Sequence, residues 1–375
     1  MSDQAGDALA QEREALRDTV RTLLERSSSE ADVRRLMETE TGYDEAVWAQ
    51  AAEGLGLTGL AIPEEFGGSG FGPMELAVVF EEMGRALYGG PFLSTVGLAA
   101  AALLASGDDA AKKEWLPGIA AGTTTATLAL TEQSSLWTAD AVTATATRDG
   151  DAVRISGVKW YVLDGHTADL VLVVARTDDG IGLFAVAADA AGLTREPMAT
   201  MDATRKMARL TLDNVPAQPI GSQTDGWQIV EQALRFGAVM LAAENVGGAQ
   251  RCLDMAADYA RERIQFGRPI GSFQAVKHKL ANLLIEVEQA KSASYFAARE
   301  AASGGADLAL AASLAKAYTG DAFFHTAADN IQIHGGIGFT WEHPAHLYFK
   351  RAKTNQLLLG SSSYHRALVA DSVGI

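Results

Sequence analysis

The stretch YARERIQFGRPIGSFQAVKHKLANL, residues 259–283, reads as the end of one helix, a break, and the start of another. Gly267, Pro269 and Gly271 interrupt the helical spacing, because glycine loosens the backbone and proline removes a donor. Working outward, helical periodicity covers about 227–260 before the break and 274–302 after it. Ser303-Gly304-Gly305-Ala306-Asp307 then stops the chain, a third block follows over 307–333, and Gly335 to Gly338 stop that one. A shorter block covers about 343–371. The first three blocks are each long enough for a bundle helix.

Before residue 219 the period changes. Val142 to Thr147 alternates, Asp149-Gly150 supplies a hairpin turn, and Val153 to Val162 alternates again. Leu170 to Ala175, Asp179-Gly180, Leu183 to Val186, and Leu210-Thr211-Leu212 ending in Asn214-Val215-Pro216 repeat the pattern of short strand and turn. With no helical pattern between them, these strands imply an antiparallel β-domain. Earlier still, Leu9, Leu16, Val20, Leu23 and Leu24 form a helical stripe, as do the apolar residues of Met74 to Leu87. The glycine-rich run Ile62 to Gly70 separates them, and Val96 to Ala105 and Asp108 to Trp115 read as further helices. The expected class is α+β, mostly α: an N-terminal α-helical domain over 1–125, a middle β-domain over 126–218 and a helical bundle over 219–375.

Composition narrows the function. A chain of 375 residues with 48% hydrophobic and 21% charged residues is an ordinary globular protein of two or three domains. A net charge of −16 argues against binding nucleic acid or an anionic membrane, though local Arg and Lys residues can still hold an anionic substrate. The single cysteine, Cys252, allows no internal disulfide and reads as buried filler. The N-terminal MSDQAGDALAQERE has acids where a signal peptide has bases, and Val96 to Ala105 is about half of a bilayer span. No metal site, no membrane association and a cytoplasmic location are the expectations.

Five segments, in order, resemble the acyl-CoA dehydrogenase family: IPEEFGGSGFGPMELAVVFEEMGRAL (62–87), LTE (130–132), ISGVKWYV (155–162), the stretch 259–283, and DNIQIHGGIGFTWEHP (329–344). The last two are the specific ones, and together the five extend the resemblance over nearly the whole chain. It implies that family's fold, with a C-terminal four-helix bundle through which subunits pair. It also implies FAD as cofactor, an acyl-CoA substrate, a homo- or hetero-tetramer with another acyl-CoA dehydrogenase subunit, and an electron-transferring flavoprotein as partner. The family's chemistry needs a carboxylate base for the thioester α-proton, a flavin to take the β-hydride, and a polarised carbonyl.

Carried over residue by residue, the resemblance places Arg263 against the FAD diphosphate and Phe266 against its adenosine half, with Gln265 and Gly267 in the same motif. Gln332, Gly335 and Gly336 receive the cofactor of a neighbouring subunit, and His334 beside them reads as structural. The half of the site that holds the chain's own flavin is thinner. Thr131 is retained, but Gln133 to Trp137 lacks the family's Gly-x-Gly-Ser-Asp loop. Tyr161 can stack on the isoalloxazine, whereas Leu163 has no hydroxyl for it.

The base is absent from both of the family's usual places. Leu359 stands where most members have the glutamate, and Gly237-Ala238 where a minority have Glu-Arg. Glu244 is the remaining candidate, seven residues after Gly237 and so about 10 Å farther along a helix. A glutamate amid Leu241 to Gly247 more often bonds between helices. Several readings follow. One is a catalytically incomplete subunit of a heteromer acting on a steroid side chain or other bulky acyl-CoA, its partner supplying the base. Others are a homotetramer with a relocated base, a flavin oxidase or monooxygenase on the same fold, and a binding protein without flavin.

Overall fold

The structure, a computed structural model, describes residues 2–150 and 152–375. Its elements alternate in three runs along the chain. The first holds helices α1 (Ser2–Ser27), α2 (Glu30–Met37), α3 (Glu45–Ala49), α4 (Pro73–Arg85), α5 (Ala101–Ala105) and α6 (Asp109–Ala120). Strands β1 (Ala126–Ala129), β2 (Thr145–Asp149), β3 (Ala152–Leu163), β4 (Leu170–Thr177), β5 (Gly180–Ala187), β6 (Leu193–Pro197) and β7 (Met207–Ile220) follow. Helix α7 (Gly226–Glu262), the short strands β8 (Ile264–Gln265) and β9 (Arg268–Pro269), and helices α8 (Gln274–Ser303), α9 (Leu308–His334), α10 (Ala345–Leu357) and α11 (Ser362–Ser372) complete the chain. The class is α+β and mostly α, as the periodicity implies. By contacts the chain forms two compact units, one of residues up to Arg34, Pro73–Tyr88 and Ala238–Ile375, the other of Arg35–Gly72 and Gly89–Gly237.

The second unit is built on a seven-stranded sheet in the order β1-β4-β2-β3-β7-β5, with β6 on β7. Its hairpins are antiparallel, including β2–β3 and β4–β5. β1, too short to show alternation, pairs with β4 in parallel, so the sheet is mixed and not wholly antiparallel. The reason is topological: β2 and β3 leave the edge before β4 returns to it. Val171, Val173 and Ala175 of β4, Phe184 and Val186 of β5, and Ala208, Leu210 and Leu212 of β7 form one core from alternate residues that share a face of each strand.

The first unit is helical. Leu283, Val287, Ala290, Ser294 and Ala297 form the buried stripe of α8, at the spacing of one helix face. α9 packs on α8, α10 and α11, and small residues permit it: Val246, Ala290 and Ala322 bring α7, α8 and α9 together. α4 and α7 cross at two glycines. A Cβ on Gly84 would lie 2.0 Å from the Glu244 carbonyl oxygen, and one on Gly247 would lie 1.7 Å from that of Glu81. Cys252 is buried in α7, and burial pushes its thiol pKa up, which keeps it inert.

The block read over 343–371 is not one helix. It breaks between α10 and α11, where Leu359 and Gly360 adopt φ of +59° and +103°. Leu357-Leu358-Leu359 keeps a helical composition, so periodicity alone runs through the break. No helix among the described residues is long and apolar enough to cross a membrane.

Candidate functional site

In the first unit, α7 ends in a two-residue hairpin whose ladder pairs Gln265 with Arg268. Its central residues, Phe266 and Gly267, both have positive φ, +54° and +77°. That is the mirror-type turn that matches strand twist and ordinarily takes Asn-Gly. Phenylalanine there is strained; the residue is 92% exposed, and its ring lies edge-on to Phe273 at 6.0 Å. Arg263 is exposed one residue before the hairpin and forms no ion pair among the described residues. The Gln265 side chain is exposed and donates to the Ile264 carbonyl at 2.8 Å.

The second turn follows α9. Gly335 has φ +63° and ψ −138°, a backbone geometry essentially reserved for glycine, and its amide bonds the Gln332 and Ile331 carbonyls. A Cβ on Gly335 or Gly336 would meet nothing within 4 Å, so local packing does not demand glycine there. Gln332 is exposed on the same helix end. The two turns are neighbours because Ile333 packs with Ala256 and Ala260 while Ile270 and Tyr259 cover the cluster. Tyr259 stacks on His334 at 4.3 Å, and His343 lies 4.1 Å from the other imidazole. His334 is buried, its Nδ1 meets the Asn330 carbonyl at 2.8 Å, and burial lowers its pKa. It therefore acts as a neutral pillar under the glycine turn.

Also in the first unit, Leu359 is 3% exposed in its left-handed turn. Its carbonyl meets Nε2 of His365 at 3.0 Å, and the Gly360 carbonyl accepts from Nζ of the buried Lys316 at 3.1 Å. An isobutyl group in that position has no proton chemistry. Glu244 is fixed elsewhere: its Oε1 accepts from Arg351 at 3.1 Å and from Asn355 at 3.0 Å. Arg351 and Asn355 went unread in the sequence, since nothing in their local spacing marks them. Gly237, the other empty position, is buried in α7.

In the second unit, the Thr131 hydroxyl donates to the Trp160 carbonyl at 2.5 Å, and Trp160 N returns a bond to the Thr131 carbonyl at 2.8 Å. Tyr161 has φ +55° and is 37% exposed. Leu163 is buried, and its carbonyl accepts from Thr127. The buried pair of Lys159 and Glu132, 2.8 Å apart, lies between these residues; sequence reading did not single it out.

The chain matches the family models of the acyl-CoA dehydrogenase N-terminal domain over residues 10–123, middle domain over 127–215 and C-terminal domain over 224–374. It belongs to the acyl-CoA dehydrogenase family, flavin-dependent oxidoreductases that act on acyl-CoA. The acyl-CoA dehydrogenase IpdE2 of Mycobacterium tuberculosis is 37% identical over 358 residues, covering 94% of each chain. Among solved structures, a variant of the Tcur3481–Tcur3483 steroid acyl-CoA dehydrogenase matches with a TM-score of 0.88 at 34% identity, over 97% of this chain and 98% of that one. The ChsE4–ChsE5 complex from Mycobacterium tuberculosis matches with a TM-score of 0.88 at 28% identity, over 96% of each chain.

Taken separately, the residues of the two units suit a flavin nucleotide unequally. An exposed guanidinium, an exposed aromatic ring and a glycine turn with open space before it offer charge, a flat face and backbone access to a diphosphate. Within the second unit, the Thr131 hydroxyl is engaged by Trp160, Leu163 is apolar, and residues 133–137 contain no glycine.

Proposed function

We propose that this chain is one subunit of a heteromeric acyl-CoA dehydrogenase, lending one wall to a FAD held mainly by a second subunit that also supplies the base. The observation that carries this reading is Leu359, apolar and 3% exposed at the position where the family has its glutamate. The commitment of Glu244 to Arg351 and Asn355 supports it, because a buried carboxylate oxygen already accepting two hydrogen bonds is engaged in holding helices together.

In this reading Arg263 orients the diphosphate through charge-assisted hydrogen bonds, and Phe266 offers its face to the adenosine. Gln332, Gly335 and Gly336 line the same wall, the glycines giving close backbone access. Gln265 keeps the hairpin tip in place, and Thr131 and Tyr161 remain as the chain's own contribution to a flavin. A bound FAD would supply the acceptor for the hydride of the acyl β-carbon; the proposed electron acceptor is an electron-transferring flavoprotein, and the proposed assembly is a cytoplasmic tetramer.

The relatives suggest the substrate class. One similar structure is named as a steroid acyl-CoA dehydrogenase and another as a two-component complex. A steroid-derived acyl-CoA is accordingly the proposed substrate. The decisive experiment measures flavin per chain and turnover, with and without a co-expressed family member that bears the glutamate. Flavin and activity arising only on co-expression support the reading. Full flavin and family-level turnover by this chain alone overturn it.

A further inference from the structure

The Lys159–Glu132 pair in the second unit joins three segments. Nζ of Lys159, 0% exposed, lies 2.8 Å from Glu132 Oε1 and donates to the Leu130 carbonyl at 3.1 Å. Glu132 Oε1 also accepts from the amides of Thr143 and Ala144 at 2.9 Å each, and Oε2 accepts from the Thr143 hydroxyl. One carboxylate thus closes the neck of the loop 133–142 and fixes the end of the β1 segment onto β3. The reciprocal bonds of Thr131 and Trp160 lie directly beside it.

Lys159 is also the last residue in register before a β-bulge. It faces Leu210, and the next pair is Val162 with Ala208, so β3 takes three steps where β7 takes two. Tyr161 takes up the extra residue at φ +55°. Bulges turn side chains out of a sheet, but a left-handed aromatic residue is strained and has to be held. A buried ammonium is not needed for packing, since an apolar residue of similar length is cheaper to bury. Burial pushes the Lys159 pKa down and the Glu132 carboxylate opposes that shift, so the two charges depend on each other.

We propose that Glu132 and Lys159 are positioning residues that anchor β3 at the bulge and thereby aim Tyr161 out of the sheet. This rests on the reading that Tyr161 lies along a flavin. The pair touches neither substrate nor cofactor; it acts through Tyr161.

The test places 3-fluorotyrosine at position 161 by amber suppression in the full chain co-expressed with its partner, and records its ¹⁹F resonance. The Glu132→Gln/Lys159→Met double variant removes both charges together and keeps an acceptor for the Thr143 and Ala144 amides. We expect it to melt close to the wild type while the resonance at 161 shifts by more than its linewidth and broadens. A folded double variant whose resonance superimposes on the wild type overturns the proposal. Should the double variant not fold, Thr143→Ala removes one donor to Glu132 at an exposed position. A smaller shift in the same direction then supports the proposal, and no shift rejects it. A shift at 161 with unchanged flavin content leaves the positioning intact and removes Tyr161 from the flavin site, so the two readings separate.

Discussion

The carboxylate of Glu244 and the guanidinium of Arg351 lie 3.1 Å apart with side-chain exposures of 4% and 1%. Asn355 donates to the same carboxylate and to Asn245, which in turn donates to Thr319. The chain's candidate for a relocated base is therefore the centre of a polar network joining α7, α9 and α10.

Glu244→Gln should destabilise the protein by about 1.5–3 kcal/mol, because it replaces the charge-assisted hydrogen bonds from Arg351 and Asn355 with neutral ones. Urea denaturation checks the loss, and turnover per folded assembly should stay near wild type. Normal stability with abolished turnover would instead identify Glu244 as the base.

Arg263→Ala should lower the flavin occupancy of the assembly without changing the melting temperature of the flavin-free chain, since the residue is exposed. A charge-assisted hydrogen bond contributes about 1.5–3 kcal/mol, equivalent to roughly 10- to 100-fold in affinity. Flavin content is read from the absorbance of the purified complex after dilution. An unchanged flavin-to-chain ratio refutes the assignment of Arg263 to the diphosphate.

Leu359→Glu places a carboxylate at the position proposed to match the family's glutamate. A positioned general base contributes roughly 10²–10⁴-fold, so a flavin-loaded variant should gain turnover of at least about 10²-fold over the unmodified chain. Stopped-flow reduction of the flavin by acyl-CoA measures it. A folded, flavin-loaded variant with no gain removes position 359 from the chemistry.

Lys316 makes stability depend on pH. Burial lowers its pKa from 10.5 to about 7, so between these values the unfolded chain holds a proton that the folded chain has released. Stability should rise with pH across that window by up to about 1.4 kcal/mol per unit, and this contribution should flatten below about pH 7, where both states are protonated. Denaturation midpoints measured from pH 7 to 10 test this, and Lys316→Met should remove the slope. An identical slope in the variant assigns it to another group.

The sequence by itself determined the class, the run of helices, strands and helices, and the two motifs that end α7 and α9. Those features are local: periodicity, turn chemistry and glycine or proline breaks act within a few residues. That Leu359 cannot accept a proton was legible in the sequence, because the identity of one side chain decides it. Tertiary structure alone decided the rest. Sequence spacing left Glu244 open between base and structural partner, and only the approach of α10 brings Arg351 and Asn355 to it from more than a hundred residues away. The break at Leu359 is likewise invisible in an apolar run, because Lys316 and His365 hold its carbonyls from other helices. The turn at Phe266 and the turn at Gly335 share one end of the bundle only because Ile333 and Ile270 share a cluster. Buried charges and long-range packing depend on which surfaces meet, and a one-dimensional pattern does not contain that information.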